Sequence, residues 1–203
     1  VRDVDQDQYE ATALMYRLVD RFGMYFAPTL YIENIRIDGK WHKGPLLCNH
    51  FGHWDTECLA FGIEPVKGDH VATYYKALAR VDEYLKLGRG GAFPVAPFEE
   101  VPRAAAPCKQ VVLTGEQIDL TKFAFIQSNP ADSARYVNTG SVFTSDPDLG
   151  KNFGTYRCEI KGPRLLGVNP EEGQGAYNHF MQAKMRGEKS VKVSIVLGQD
   201  PVT

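Results

Sequence analysis

The feature that most constrains the fold is a pair of strand-like runs in the second half of the chain. Residues 136–145 are rich in β-branched and aromatic side chains, and residues 155–160 have the same character. The segment Asp146-Pro147-Asp148-Leu149-Gly150 between them has the composition of a turn. Two such runs joined by a short turn predict a β-hairpin. Its second strand would carry two polar side chains that can bind ligands, Asn152 and Arg157.

Strand periodicity decides whether Asn152 and Arg157 can act together. Alternate side chains of a strand share a face, so Asn152 would lie with Gly154 and Tyr156, and Arg157 would face the other side. A bulge at Gly154 would break this alternation and let the two polar groups converge. From the residues alone, a surface hairpin that carries one Asn and one Arg without a function is the more common interpretation.

Length and charge exclude several classes of function. The 203 residues suffice for one large domain or two small ones with a real core. A formal net charge of −2 gives no basic surface for nucleic acid or an anionic membrane, so neither partner is predicted. No apolar run approaches the roughly eighteen residues of a membrane span, and residues 1–8 are acidic and polar, which predicts a cytoplasmic protein. The four cysteines lack CxxC spacing and are expected to be free thiols.

Hydrophobic periodicity predicts the elements of the first half. Apolar residues about four apart predict amphipathic helices over residues 9–22 and 69–88, each followed or ended by a glycine. Strands are predicted over residues 29–37 and near 45–48, forming an edge hairpin with a turn at Asp38-Gly39. The glycine-rich segment at residues 88–91 lacks the strand-before, helix-after context of a phosphate loop, so it is predicted only to end a helix.

The second half is predicted to begin after a proline-rich connector over residues 93–107. A strand is expected over residues 109–114, ahead of the central hairpin. The closing third alternates, in order, a strand over residues 164–168, a loop over 169–175, a helix over 176–186 and a strand over 191–197.

One loop of the first half concentrates polar side chains that could bind a metal: His50, His53, Asp55 and Glu57. Imidazole and carboxylate groups suit zinc or iron. Their spacing matches no established metal site, however, and Asp55 fits the N-cap of a short helix with Glu57 in its first turn. The sequence therefore favours a structural loop over a metal site.

Three segments, taken in order and spacing, resemble one enzyme family. They are Ile32-Glu33-Asn34 followed by residues 45–52, residues 106–115 followed by Asp119-Leu120-Thr121, and residues 144–150 continuing through Asn152 to Tyr156-Arg157. Together these segments resemble the UbiD family of reversible aromatic and acrylic acid decarboxylases. The resemblance extends from about Leu30 to the C-terminus.

The resemblance implies an α+β fold and a flavin cofactor. An N-terminal α/β domain, residues 1–120, would be followed by the first part of a split β-barrel of the flavin-reductase type, residues 121–203. The barrel would hold prenylated FMN together with a divalent metal, manganese or magnesium, and potassium.

The resemblance also assigns roles to individual residues. Asn152 matches the metal-ligating asparagine, and a neutral amide oxygen is a hard ligand suited to such an ion. Arg157 matches the catalytic arginine, whose guanidinium fork can orient a carboxylate beside the flavin. The cofactor-binding positions are Thr155, Tyr156, Arg157, Gln174 and Gly175.

Two departures from the family pattern affect this expectation. Many members have a histidine after the glutamine as a second metal ligand, and here that position is Gly175. The catalytic acids and the metal-binding glutamate of the family would follow Thr203. The chain is therefore expected to be a front portion of the enzyme and to be inactive alone.

The reaction implied is reversible, non-oxidative decarboxylation of an aromatic or α,β-unsaturated carboxylic acid. Its partners would be the acid, carbon dioxide and a flavin prenyltransferase that supplies the cofactor, within a homo-oligomer or a carboxylase complex. Two alternatives stay open: a non-catalytic, scaffolding subunit of an aromatic carboxylase, and a simple flavin-binding split-barrel module.

Overall fold

The first half of the chain builds a small sheet with one helix against it. In a computed structural model, which describes residues 1–87 and 100–198, the strands are β1 (Asp3–Asp5), β2 (Leu30–Ile37) and β3 (Lys40–Cys48), in the order β1-β2-β3. β1 runs parallel to β2, whereas β3 is antiparallel to it. The β2–β3 turn places Asp38 and Gly39 at φ +51° and +72°, the left-handed conformation that a two-residue hairpin turn requires.

The core of this sheet forms on the face that meets the helix α1 (Glu10–Phe22). Val4, Ile32 and Ile35 are fully buried there, and Ile126 reaches the same cluster from the second half of the chain. Leu14 and Met15 of α1 pack against these side chains. The apolar stripe predicted for this helix thus faces the sheet.

Two further helices, α2 (Trp54–Ala60) and α3 (His70–Leu87), pack against each other. Fully buried Thr73 of α3 hydrogen-bonds to the backbone of Val66, and its carbonyl oxygen accepts a hydrogen bond from the thiol of Cys58 at 3.3 Å. The N-cap of α2 is His53, whose Nδ1 accepts the Asp55 N–H at 3.1 Å. The N-cap predicted at Asp55 therefore lies two residues too late.

The second half builds a four-stranded antiparallel sheet covered on one face by a helix. Its strands are β4 (Tyr136–Asp146), β5 (Gly150–Gly162), β6 (Leu165–Val168) and β7 (Val193–Val196), in the order β6-β5-β4-β7. The helix α4 (Gly175–Met185) buries Ala176 against Val142, Tyr156 and Cys158. Short 3-10 turns connect the elements at Gln6–Gln8, Arg103–Ala105, Pro107–Lys109, Gly115–Gln117 and Leu120–Lys122.

This architecture confirms the predicted α+β class, the central hairpin and both early helices. The strand predicted over residues 109–114 is wrong, because the apolar side chains there, Val111 among them at 76% exposure, have no partner strand among the described residues. The hairpin of residues 30–48 forms one edge of its sheet, as predicted, since β1 pairs with its first strand and leaves β3 outermost.

Two sequence predictions fall partly or wholly outside the residues that the structure describes: the glycine-rich segment 88–91, and the proline-rich connector in its residues 93–99. The division into domains at residue 120 stays a prediction. Within residues 1–87 and 100–198, the helices are too short or too polar to cross a membrane.

Candidate active site

The register of the central hairpin places Asn152 and Arg157 on opposite faces of the sheet. The pairing of β4 with β5 is continuous from Asp146–Gly150 to Gly140–Tyr156, so no bulge occurs at Gly154. The register shifts instead between Val137 and Gly140, where two residues of β4 stand opposite Arg157. The convergence of Asn152 and Arg157 through a bulge at Gly154 was therefore a wrong prediction.

Gly154 has a different role, which is to make room for an aromatic ring. A Cβ built at position 154 would lie 2.7 Å from Cε2 of Tyr156 and 2.8 Å from its hydroxyl oxygen. The Tyr156 ring thus lies over the glycine on the face that packs against α4. There its hydroxyl accepts a hydrogen bond of 3.4 Å from the N–H of Ala176, in the first turn of α4.

Asn152 lies on the same face, at the end of a polar network. Its Nδ2 donates to Oγ1 of Thr144 at 3.4 Å, and that hydroxyl is 2.9 Å from Nδ1 of buried His179 on α4. Within the described part of the chain, Oδ1 of Asn152 accepts no hydrogen bond, and it is the Asn152 atom that lies nearest to the Cβ position of residue 175. A Cβ at position 175 would lie 1.9 Å from it.

This arrangement fits a hard cation and an anionic group. The amide oxygen of Asn152 is held by a network at its nitrogen, so it can act as a neutral ligand. It lies beside the N-terminus of an 11-residue helix, where backbone N–H groups and the helix dipole favour a phosphate.

Arg157 lies on the other face and is held from three sides. Its Nε donates to Oδ1 of Asn138 at 3.2 Å, and its Nη2 is 3.3 Å from Oδ1 of Asp132. The guanidinium carbon lies 4.1 Å from the centroid of the Tyr136 ring, a cation–π contact. Nη1 makes no hydrogen bond within residues 1–87 and 100–198, so one edge of the fork is available to a ligand.

Arg157 lines a cavity of about 610 Å³, within the range of cofactor and substrate pockets. Its walls come from β5, β6 and the loop before α4. The lining residues are Tyr136, Thr155, Tyr156, Arg157, Glu159, Lys161, Gly167, Val168, Asn169, Glu171 and Gln174. A more apolar cavity of about 620 Å³, between the end of β3 and the start of β4, shares Tyr136 with it.

Two charged side chains inside the first cavity form an ion pair. The Lys161 ammonium lies 2.7 Å from Oε2 of Glu159 and lowers the pKa of that carboxyl, so Glu159 is an anion at neutral pH. Gln174 is fixed at the cavity edge because its Oε1 accepts the N–H of Glu171 at 2.7 Å. The cavity therefore offers an ordered amide and an available guanidinium edge.

One buried hydroxyl group on this face has no hydrogen-bond partner among the described residues. Ser141 is the cross-strand partner of Thr155, so the two share the face that carries Arg157. Ser141 is fully buried, and among the described residues its Oγ has no hydrogen-bond partner. The cavity and the available oxygen of Asn152 fit a polar, elongated cofactor such as a flavin mononucleotide.

The structure brings together four of the site residues predicted from sequence and places two beside them. Thr155, Tyr156, Arg157 and Gln174 line one cavity, whereas Asn152 contacts Gly175 on the opposite face of β5. The consecutive residues Gln174 and Gly175 connect the two sides. Their roles in binding and catalysis stay predictions.

Sequence reasoning missed the residues that hold these groups. Asp132 and Asn138 fix Arg157, while Thr144 and His179 fix Asn152. A turn signal at Asn129-Pro130-Ala131-Asp132 marks the loop that carries Asp132. His179 carries no such signal, since a lone histidine on a helix is more often packed than functional.

Comparison with known proteins identifies the family to which this chain belongs. The model of the 3-octaprenyl-4-hydroxybenzoate carboxy-lyase Rift-related domain, UbiD, matches residues 99–203, just over half of the chain. The phenolic acid decarboxylase of Escherichia coli O157:H7 is 30% identical over 182 residues, which are 87% of this chain and 35% of that protein. The phenolic acid decarboxylase of Sedimentibacter hydroxybenzoicus is 25% identical over 86% of this chain and 34% of that protein.

Solved structures share the fold. The vanillic acid decarboxylase of Sedimentibacter hydroxybenzoicus in its open form, with a truncated ShVdcD, superposes with a TM-score of 0.73 and 23% identity, over 100% of this chain and 39% of that one. A UbiD-class enzyme of Pelotomaculum thermopropionicum, solved in complex with FMN, superposes with a TM-score of 0.71 and 20% identity. The match covers 99% of this chain and 40% of that one. The chain thus spans little more than a third of the length of these relatives.

Proposed function

Because the chain belongs to the UbiD family of carboxy-lyases, we propose that it acts in the reversible, non-oxidative decarboxylation of an aromatic carboxylic acid with prenylated FMN. A phenolic acid is the first substrate class to test, since two relatives are phenolic acid decarboxylases. The observation that carries the proposal is the Arg157 guanidinium, fixed in a cavity that Thr155, Tyr156 and Gln174 also line.

Arg157 would bind the substrate carboxylate. Asp132 and Asn138 occupy two of its nitrogens and orient the fork, so that Nη1 faces the ligand without loss of further side-chain freedom. A fixed cation at that point also favours the negative charge that develops as the carboxylate is lost. The bound flavin would supply the electron sink for that loss.

Asn152 would hold the divalent metal, manganese or magnesium, and that ion would offset the negative charge of the cofactor phosphate. Thr144, whose hydroxyl also contacts His179, keeps the amide nitrogen of Asn152 occupied, and Oδ1 lies toward the start of α4. Gly175 leaves the space for this amide and provides no ligand of its own. Water would complete the coordination of the metal, and potassium would be an additional ion of the cofactor site.

The proposal also covers the partners of the protein and its location in the cell. A flavin prenyltransferase would supply the cofactor, and the assembly would be a homo-oligomer or a carboxylase complex in the cytoplasm. A complex is favoured by the structural neighbour that was solved with a second component, ShVdcD.

The test is a spectrum and an exchange assay on the full-length protein produced together with a flavin prenyltransferase. Intact mass and absorbance should reveal prenylated FMN, and labelled carbon dioxide should exchange into phenolic acids. Arg157→Ala should reduce exchange by on the order of 100-fold or more while flavin remains bound. Arg164→Ala is the matched control, because Arg164 is a similarly exposed arginine that pairs with Glu116 outside the cavity.

Two outcomes would overturn the proposal in different ways. Folded protein without any flavin would leave the scaffolding subunit as the better account. Bound flavin with full exchange in Arg157→Ala would remove Arg157 from the reaction and leave a simple flavin-binding module open.

A further inference from the structure

A second group of potential ligands lies in the first half of the chain, where α2 and α3 begin, away from the sheet that carries Asn152. Side-chain atoms of His53, Asp55 and His70 all lie within 4.8 Å of one another. His53 and Asp55 begin α2, whereas His70 begins α3, so the fold joins two segments that are fifteen residues or more apart in sequence. The sequence had suggested His50, His53, Asp55 and Glu57 as possible ligands. In the structure, His70 joins His53 and Asp55, and His50 and Glu57 are not part of the cluster.

Two measured distances in the cluster match those of ligands around one tetrahedral ion. Nδ1 of His53 is 3.5 Å from Oδ1 of Asp55. Zinc bonds of about 2.0–2.1 Å put neighbouring tetrahedral ligand atoms roughly 3.3 Å apart, and put two imidazole centroids on one ion roughly 5 Å apart. The ring centroids of His53 and His70 are 5.0 Å apart, with the planes at 83°.

The rings are also held in place before any ion binds. Phe26 contacts both, with its centroid 4.6 Å from that of His70 and 6.3 Å from that of His53. The His53 side chain is 17% exposed and that of Asp55 is 44% exposed. The imidazoles thus form the sheltered side of the cluster, and the carboxylate leaves an open side to solvent.

We propose that His53, Asp55 and His70 bind a zinc ion, with a water molecule in the fourth position. Two imidazoles and one carboxylate are a donor set that zinc accepts, and three protein ligands with one open position are typical of zinc sites that exchange or act on a ligand. The ion would take the Nδ1 lone pair of His53 that now caps α2, and it would fasten the start of α2 to the start of α3.

The experiment uses the full-length protein stripped with EDTA and then freed of chelator. Zn²⁺ is titrated by calorimetry, and Co²⁺ is titrated by visible absorption, since a tetrahedral Co²⁺ site gives intense ligand-field bands. The unaltered protein should bind one Zn²⁺ at this site and develop the Co²⁺ bands. His53→Ala and His70→Ala should each weaken binding by on the order of 100-fold and remove the bands.

Matched variants separate this site from the other metal-binding side chains of the protein. His50→Ala removes a histidine of the same loop that lies outside the cluster, and it should retain both signals. Asn152→Ala should also retain them, which distinguishes this ion from the metal of the proposed cofactor site. His70→Asn, which keeps a polar side chain at the start of α3, should behave as His70→Ala while circular dichroism shows a folded protein.

Either of two results would overturn the assignment. One is that the stripped, unaltered protein binds no zinc or gives no tetrahedral Co²⁺ spectrum. The other is that affinity is unchanged in folded His53→Ala and His70→Asn, or falls equally in His50→Ala. The outcome does not depend on flavin or on decarboxylation.

Discussion

A Cβ built on Gly175 would lie 1.9 Å from Oδ1 of Asn152, so the glycine at the start of α4 leaves the space that the Asn152 amide fills. Where many UbiD-type sequences have a histidine, this chain has room for a neighbouring side chain instead. The amide oxygen of Asn152 can therefore occupy its position only because residue 175 has no side chain.

Gly175→Ala should displace the Asn152 amide and weaken metal-dependent binding of the cofactor. The methyl group cannot coexist with Oδ1 at the observed position, and the simplest relief is rotation of Asn152 away from the helix start. We expect roughly a tenfold loss of affinity for FMN in the presence of Mn²⁺. Titration by quenching of flavin fluorescence measures it.

Gly162→Ala is the control for that experiment. Gly162 ends β5, and an added Cβ there would meet only Leu165 at 4.0 Å, an ordinary contact. If Gly175→Ala binds FMN as well as Gly162→Ala does, Asn152 does not act through the position seen here.

Gly154→Ala should destabilise the second sheet. The new methyl group would meet the Tyr156 ring at 2.7 Å, and moving the ring would also break the hydrogen bond from Ala176 to its hydroxyl. Overpacking of this kind costs about 1–3 kcal/mol. Urea denaturation followed by circular dichroism checks the value, and an unchanged midpoint would show that Tyr156 can leave its place at no cost.

How far the sequence predicts this molecule depends on whether the signal is local. Periodicity and turn residues predict α1, α3 and the β4–β5 hairpin, because the pattern lies within each element. The three residues of β1 form a strand only because β2, about thirty residues away, pairs with them. The apolar residues near Val111 show the converse. They have strand propensity, but they form no strand because no partner strand lies beside them among the described residues.

The candidate site follows the same rule. The types of side chain at Asn152, Arg157 and Gln174 could be selected from sequence, but their geometry depends on distant residues. The bulge that re-aims neighbours of Arg157 lies in β4, on the partner strand. The Thr144 hydroxyl that supports Asn152 also lies in β4, and it contacts His179 of α4. Such pairings leave no local pattern, so sequence alone placed the bulge on the wrong strand.

Asp132→Asn should loosen Arg157 without removing it. The change keeps an acceptor near Nη2 but removes the negative charge 3.3 Å away, so the guanidinium is less firmly oriented. We expect KM for the aromatic acid to rise about tenfold, with the flavin content unchanged, because Asp132 positions the arginine and does not line the cavity.

Steady-state kinetics with the flavin-loaded protein measures this effect. Glu116→Gln serves as the control. It breaks a comparable arginine–carboxylate pair at the surface, the one that Glu116 forms with Arg164. A rise in KM that is equal in both variants, or a loss of flavin in Asp132→Asn, would contradict a positioning role.

Asp146→Asn should remove a stabilising contact whose strength depends on pH. The Arg186 guanidinium donates from Nη2 to buried Asp146 at 2.5 Å and, with the N–H groups of Asp148 and Leu149, lowers the pKa of that carboxyl from 3.8 to about 2. Because the folded pKa is below the unfolded one, the contribution to stability is complete above about pH 4. It is lost as the pH falls from 3.8 towards 2.

Thermal denaturation at several pH values tests this linkage. Asp146→Asn should lower Tm by at least a few degrees near neutral pH, and the difference from the unaltered protein should vanish as the pH approaches 2. Asp148→Asn is the control, because the exposed Asp148 carboxylate contacts the same arginine at 3.1 Å with 69% exposure and should matter little. A Tm difference that stays constant from neutral pH down to the acid limit would mean that Asp146 stabilises the hairpin through its shape and hydrogen bonds and not through its charge.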